Sequence, residues 1–414
     1  MWRLTSTSLI QDVKLATRNM LRHRRRSLLA LATVGSGVIA FLLAGGFINW
    51  VLVSMREATI HSQLGHIQIT RPGYFSEGLG DPYNHLLPAA AQQAEQIRRI
   101  PDVKTVAPRL AFSGLLSKAD ATVSFLGEGI DPIQEAPITD EINIVEGKDL
   151  TESPPNSLLL GQGLAASIDA HVGDTLVLLA TTQHGRINAV EARVAGIFVT
   201  VAKAYDDSVL RAPITLARTL MDVEGATSWA ILLAETEHTT DAVTRFRQDL
   251  DPAEFEIIPW TDLADFYNKT VELFGKQVGI VRLLIALIVI LSISNTMTMA
   301  VMERTNEIGT SMALGVRRSS ILRLFVLEGL VVGVVGGIGG TAIGLVLGEL
   351  ISAVGIPMPP PPGMTTGYLG EIQISTELSI DALSLAIVTT LAASIFPAWK
   401  ASRMNVVDAL RHQR

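Results

Sequence analysis

Few residues in this sequence could carry out covalent chemistry. There is no cysteine among 414 residues, which removes thiolate nucleophiles, thiolate metal sites and disulfides. The eight histidines are scattered without ligand spacing, and the closest pair, His61 and His66, reads as polar structure. No G-x-x-x-x-G-K-[ST] phosphate loop occurs, because Gly147-Lys148 and Gly275-Lys276 lack the flanking pattern. Neither G-x-S-x-G nor H-E-x-x-H is present. The expectation is a chain with no catalytic residue, no metal and no bound cofactor, whose energy comes from elsewhere. Two other patterns stand out. One is a polar run from Glu303 to Arg318, in which Glu307 to Leu314 can form a short amphipathic helix with Gly315 at its end. The other is glycine at helical spacing: Gly329, Gly333 and Gly337 in one series, Gly336, Gly340, Gly344 and Gly348 in a second. Small residues so spaced let helix backbones approach closely.

The elements that carry these patterns are membrane spans. Apolar residues make up 48% and charged residues 18%, against about 25% charged in ordinary soluble domains. Crossing roughly 30 Å of hydrocarbon takes about 20 apolar residues. Four stretches qualify: Leu28 to Val53, Leu283 to Met302, Gly329 to Gly348 and Ala382 to Trp399. None has a charge near its middle, which argues against a proton relay. Ser292, Ser294, Asn295, Thr296 and Thr298 in the second stretch can bond across helices or to their own carbonyls. Glu328 can pair with Arg323 or Arg304.

Lys and Arg set the orientation. They crowd the first 26 residues, the segment holding Arg304, Arg317, Arg318 and Arg323, and the tail from Lys400. The segment from Ile351 to Ile380 has neither. Both termini and the 303–323 loop are therefore expected in the cytoplasm, with 54–280 and 351–380 outside. The apolar run of the first span is too long for a signal peptide. Before it, Leu9, Ile10, Val13, Ala16, Met20 and Leu21 recur at helical spacing, as in a helix lying on the inner surface.

The expected fold is an α-helical membrane protein, four spans in a 1+3 arrangement, with a large α+β periplasmic domain between the first and second. The division predicted is 1–26 amphipathic helix, 27–53 first span, 54–260 periplasmic domain with a strand-rich insert near 140–200, and 261–302 stalk helix continuing into the second span. Then follow 303–323 cytoplasmic coupling loop, 324–350 third span, 351–380 Pro-rich periplasmic loop, 381–400 fourth span and 401–414 tail. Strand–helix–strand patterns at 66–106 and 229–259 suggest a split α+β body. Thr261 is a candidate cap for a stalk helix of about 60 Å.

On composition alone the 307–315 helix suits either a grip for a motor protein or an interfacial anchor. Here the sequence resembles a known family. The run from Glu303 to Leu330, E-R-T-N-E-I-G-T-S-M-A-L-G-V-R-R-S-S-I-L-R-L-F-V-L-E-G-L, is similar to the signature of FtsX-type permeases, the membrane subunits of the MacB, LolC/LolE and FtsX group of ABC transporters. Leu15 to Leu28, Ser157 to Val177 and Pro397 to Arg411 resemble the same family. Many members carry a basic residue at the position of Ser311 or Met312, absent here.

The resemblance implies mechanotransmission. A separate ABC ATPase subunit, holding ATP and Mg, would drive the coupling residues Glu303, Arg304, Glu307, Ile308, Gly309, Met312, Ala313, Leu314 and Gly315. A second permease subunit would complete a homo- or heterodimer. A periplasmic adaptor or lipoprotein acceptor is a further expected partner, beside the lipid bilayer; nucleic acid is not. The location implied is the bacterial inner membrane. Gly65-His66-Ile67-Gln68-Ile69 resembles the lipoprotein-releasing LolC/LolE branch. Efflux of peptides or amphiphilic drugs, and FtsX-like control of a cell-wall hydrolase, are the alternatives.

Overall fold

The structure, a computed structural model, describes residues 14–19, 22, 24–78, 82–88, 92–140, 142–200, 203–358 and 368–404. Of the predicted N-terminal helix, 14–19 are helical and Ala16 is buried. Leu9, Ile10, Val13, Met20 and Leu21 lie outside the described residues, as do most of the tail and the middle of the Pro-rich loop. Two compact units are present. One holds 1–52, 271–357 and 369–414, the other 53–270 and 358–368.

The first unit is helical. Four helices among the described residues are long and apolar enough to cross a membrane. The first-span helix is Arg24–Thr59, the second Asp265–Glu303, the third Arg318–Val354 and the fourth Thr376–Ser402. Each outruns the hydrophobic stretch that predicted it, because polar flanking residues extend a helix beyond the membrane at no hydrophobic cost. The core joins Val34, Val38, Phe41 and Leu42 of the first helix to Val289, Ile293 and Met297 of the second, Val332 of the third and Leu385, Ala386 and Ala393 of the fourth.

Glycine sets how close these helices come. A Cβ on Gly333 would lie 2.2 Å from Thr390 Oγ1, and one on Gly329 or Gly337 would meet Ser394 or Leu383 of the fourth helix. The second series turns to the first helix: Gly336 against Val34, Gly340 against the backbone of Gly35, Gly344 against Leu42. Gly348 faces Ile374 and Ile372. One helix thus presents two smooth faces to two neighbours of its own chain. In the second span, Thr296 and Thr298 donate to the carbonyls of Ser292 and Ser294 at 2.9 and 2.7 Å, so they bond within their own helix.

The second unit is built on one mixed sheet. Its strands are β1 Ile67–Thr70, β2 Val103–Lys118, β3 Ala121–Ile130, β4 Asn143–Gly147, β5 Ser157–Gly161, β6 Thr175–Thr181, β7 Ile187–Val199, β8 Val209–Pro213, β9 Ser228–Leu233 and β10 Glu256–Pro259. They run in the order β10-β1-β9-β2-β3-β8-β5-β7-β4, with β6 pairing β2 and β7. The first four strands, all antiparallel, are the split pair expected: β1–helix–β2 and β9–helix–β10. Ile97, Val243 and Phe246 from the helices cover Ile67, Ile69, Trp229 and Ile231 on one face. Ala230 and Leu232, alternating with these along β9, face the other way onto Ile60, Trp260 and Ala264.

The strand-rich lobe is wider than the 140–200 insert. Its core begins at Leu110, within β2, and ends at Val223, after helix Ile214–Met221. β2 belongs to both lobes, pairing β9 up to Arg109 and β3 from Arg109 onward. The stalk also differs from expectation. A single turn, Trp260–Leu263, is followed by a break at Ala264 before the helix restarts at Asp265. Thr261 does not cap it; its hydroxyl bonds Asp262 instead.

A hydrogen-bond chain ties the end of the first-span helix to β9. Leu233 N–H donates to His66 Nδ1 at 3.1 Å, so the ring proton sits on Nε2, 2.9 Å from Thr236 Oγ1. The Thr236 hydroxyl then donates to Glu57. Burial, helped by the charges of His61, Lys104 and Arg56, pushes the His66 pKa down from 6.5 to about 4.

Two outcomes follow. Gly340→Val should lower stability by about 1–3 kcal/mol through overpacking, read as thermal unfolding in detergent. Gly339→Val, with nothing within 4 Å of its Cβ, should not. His66 is neutral when folded but protonates at 6.5 when unfolded. Its contribution is therefore complete above pH 6.5 and falls away toward about pH 4, by on the order of 3 kcal/mol in total. A His66→Gln variant should show a flatter melting-temperature profile across that window.

Candidate functional site

The polar run after the second span folds as Thr305–Ala313, closed by Leu314 and by Gly315 at φ +93. The positive φ alone explains glycine there, since the Cβ position is open. The helix is short, so its placement depends on side chains. Ile308 is 7% exposed and packs with Val301, Ile321, Phe325, Ala398 and Ala401, with Met312 beside them. Gly309 is buried as well. Ile308 and Gly309 were expected to meet a motor subunit. Within this chain Ile308 packs against the ends of the spans, and Gly309 is covered beside it.

The outward face is made of the other residues. Glu307, Thr310, Ala313 and Gly315 are exposed. Leu314 is 83% exposed and Val316 44%. Single exposed apolar residues are ordinary; these two flank Gly315 at the end of the helix. Val316 was absent from the sequence-based set, although its pairing with Leu314 across a glycine was visible there.

Charges fix the base. Glu328, buried at 5% exposure, accepts from Arg304 Nη1 at 2.9 Å and from Asn19 Nδ2 at 2.9 Å. Of the two partners expected for Glu328, Arg304 is the one in contact. Glu303 pairs with Arg26, and Glu307 lies 3.8 Å from Arg22. Residues before and at the start of the first span are thereby tied to the start of the 303–315 segment and to the third helix. Asn19 could not be foreseen, since it is 309 residues from its partner.

In the second unit a cleft of about 700 Å³ lies between helices Gln92–Arg98 and Ile214–Met221. Arg99, Arg218 and Glu95 line it together with Val106, Ile214 and Trp229. Its walls are mixed, apolar surface alternating with charge.

Residues 27–249 match the MacB-like periplasmic core domain, and residues 279–406 match the FtsX-like permease C-terminal domain. The chain belongs to the FtsX-like permease family. An uncharacterized ABC transporter permease of Methanocaldococcus jannaschii is 24% identical, covering 96% of this chain and 97% of that protein. The macrolide export ATP-binding/permease protein MacB of Hyphomonas neptunium is 24% identical over 97% of this chain, which spans 60% of it. The lipoprotein-releasing system transmembrane protein LolC of Xylella fastidiosa is 24% identical over 76% of this chain and 79% of its own length. Among solved structures, the periplasmic region of MacB from Actinobacillus actinomycetemcomitans aligns over 52% of this chain and 94% of its own, at 15% identity and a TM-score of 0.36. On the two domain matches the chain is an ABC transporter permease with a MacB-like periplasmic core domain.

Removing one partner of a buried ion pair strands the other charge. Glu328→Ala should therefore destabilise the helical unit by about 3–5 kcal/mol, measured by thermal unfolding in detergent. Glu307→Ala, at an exposed and looser pair, should cost under about 1 kcal/mol.

Proposed function

We propose that this chain is the permease of an ABC transporter working by mechanotransmission. A separate ATPase subunit grips the Thr305–Ala313 helix from the cytoplasm, and ATP hydrolysis there drives the handling of substrate in the periplasm. The observation that carries the reading is the two-sided coupling helix. Ile308 and Met312 fasten its inner face, and Leu314 and Val316 stand exposed on its outer end. A helix so held passes on a push instead of rolling under it. The 39-residue helix Asp265–Glu303 supplies a rigid member about 60 Å long.

The topology that goes with this is 1+3, with both termini and the coupling loop cytoplasmic, as the Lys and Arg distribution predicts. A second permease subunit is supported by the second span. Leu273, Ile280 and Leu287 recur every seventh residue and are all more than half exposed, as are Leu284 and Leu291 between and beyond them. A seven-residue apolar repeat is what a helix–helix seam requires.

Lipoprotein release is the preferred substrate class, supported by Gly65–Ile69 and by the likeness to LolC. The cleft lined by Arg99, Arg218, Ile214 and Trp229 favours a second reading, in which a peptide or amphiphilic compound is extruded with a periplasmic adaptor. The relatives named for macrolide and pyoverdine export are in keeping with it.

The grip can be tested at Leu314. Burying a leucine is worth roughly 1.5–3 kcal/mol, or about tenfold or more in affinity. Leu314→Asp should leave membrane insertion unchanged and lower the amount of ATPase co-purifying in detergent by about that factor. Retention of the ATPase at wild-type stoichiometry would count against the assignment. ATPase stimulation of the wild-type complex by acylated lipoprotein, compared with stimulation by an amphiphilic macrolide, separates the two substrate classes.

A further inference from the structure

The first-span helix does not enter the α/β domain through a loop. It runs to Thr59, widens into a π turn over Ile60–Leu64, closes on Gly65 and is in β1 by Ile67. A helix end leaves its last carbonyls without backbone partners. The Gly65 N–H takes the Ile60 carbonyl at 2.9 Å. The carbonyls of Ser62, Gln63 and Leu64 are each met by a side chain from the sheet. Arg211 Nη2, on β8, donates to Ser62 at 3.0 Å. Arg109 Nη1, on β2, donates to Gln63. Gln68 Nε2, on β1, donates to Leu64 at 3.1 Å.

The two guanidinium groups are deeply buried: Arg211 is 2% exposed and Arg109 6%. Each is neutralised from behind. Glu135 takes Arg109 in a fork, with Oε1 2.5 Å from Nη2 and Oε2 3.2 Å from Nε. Glu128 takes Arg211 Nε at 3.1 Å and also accepts from the Tyr205 hydroxyl at 2.7 Å. Burial acts to raise the Glu128 carboxyl, but Arg211 and Arg109 outweigh it and hold it below the usual carboxylate range. Both cations therefore reach the helix end, where the backbone dipole favours positive charge.

Stability alone does not explain this arrangement. Well-packed apolar residues of the same volume commonly hold a buried junction as firmly as an ion pair, and Ile60 and Leu64 already pack with Ala107, Leu232 and Trp260. Forked, charge-assisted bonds add geometry, because they fix direction as well as distance. We propose that Arg109 and Arg211 are positioning residues of the transport cycle, a two-armed clasp that locks the end of the first-span helix to β2 and β8. Displacement of that helix then reaches the sheet instead of being lost in the turn. The proposal rests on the permease reading above, and it assigns to this connection a role that the coupling helix alone does not supply.

Because the chain has no cysteine, spin labels can be placed at will. The test uses the full-length chain with its ATPase in nanodiscs, labelled at Met55→Cys and Asp120→Cys, with a separate label at Ala313→Cys. Distances are read by pulsed EPR with and without MgATP and vanadate, and hydrolysis as phosphate release. Charges are removed in pairs, Arg109→Met with Glu135→Met and Arg211→Met with Glu128→Met, so that no lone charge stays buried. In the unmodified clasp one Met55–Asp120 distance should persist in both nucleotide states. In the paired variants hydrolysis and the Ala313 response should continue, while that distance shifts or broadens in the nucleotide-bound state only. Arg109→Lys, which keeps the charge but loses the fork, and Arg211→Lys, which cannot hold Glu128 and the Ser62 carbonyl through separate nitrogens in one plane, should give a smaller effect of the same kind and serve where the paired variants do not fold. An unchanged distance in every variant would overturn the clasp. So would broadening that is equal with and without nucleotide, since that marks a purely structural role. Absence of hydrolysis or of the Ala313 response in the unmodified chain would instead strike at the permease reading.

Discussion

A rod moves its two ends together only when neither end is free to swing. The fixing of helix ends is the constraint on which the rest of this molecule depends. No predicted span carries a charge at its centre. In the proposed function, work done on one side is carried by the stiffness of the backbone. That stiffness is useless if the terminal turns fray, as helix ends do when their carbonyls and amides lack partners. At the Glu303 end the charges of Arg26, Arg304 and Glu328 do the fixing, with a hydrogen bond from Asn19. At the Leu64 end it is done by Arg109, Arg211 and Gln68.

The glycine-rich third helix answers a related demand. In lipid there is no hydrophobic drive to hold helices together, so close van der Waals contact must do it. A helix with one smooth face packs one neighbour. Two glycine series, offset around the same helix, let it pack the first and the fourth helices simultaneously. The second helix, the one that continues toward the α/β unit, is by contrast the least buried of the four. It owes little to its own bundle, which leaves its surface to lipid or to another subunit.

Much of this was legible in the primary structure. Span positions follow from hydropathy, and the glycine faces from a spacing of four. The split sheet could be read because each of its strands flanks a helix of opposite period. What could not be read was pairing across long intervals. Asn19 and Glu328 meet only because three helices converge. Arg211 sits in the apolar stretch Val209–Pro213, which is buried throughout, and an arginine there was the one available hint that its charge is neutralised inside. The carboxylates that neutralise these cations, Glu128 and Glu135, come from β3 and the turn after it, which the pattern of residues did not mark as strand. The inward aim of Ile308 had a clearer signal. Val301, Ile308 and Met312 recur at intervals of seven and four, the period of a face that packs.

Strand β2 is sixteen residues long and changes partners at Arg109. Both lobes of the α/β unit therefore hang on one uninterrupted ribbon and are joined by no flexible linker there. A ribbon shared in this way acts as a torsion spring. Twist delivered to the half that pairs β9 cannot dissipate before it reaches the half that pairs β3. The residue at the changeover is Arg109, whose guanidinium grips the helix, so the twist enters at the middle of the spring and not at an end. Each lobe is then one half-strand away from the same grip.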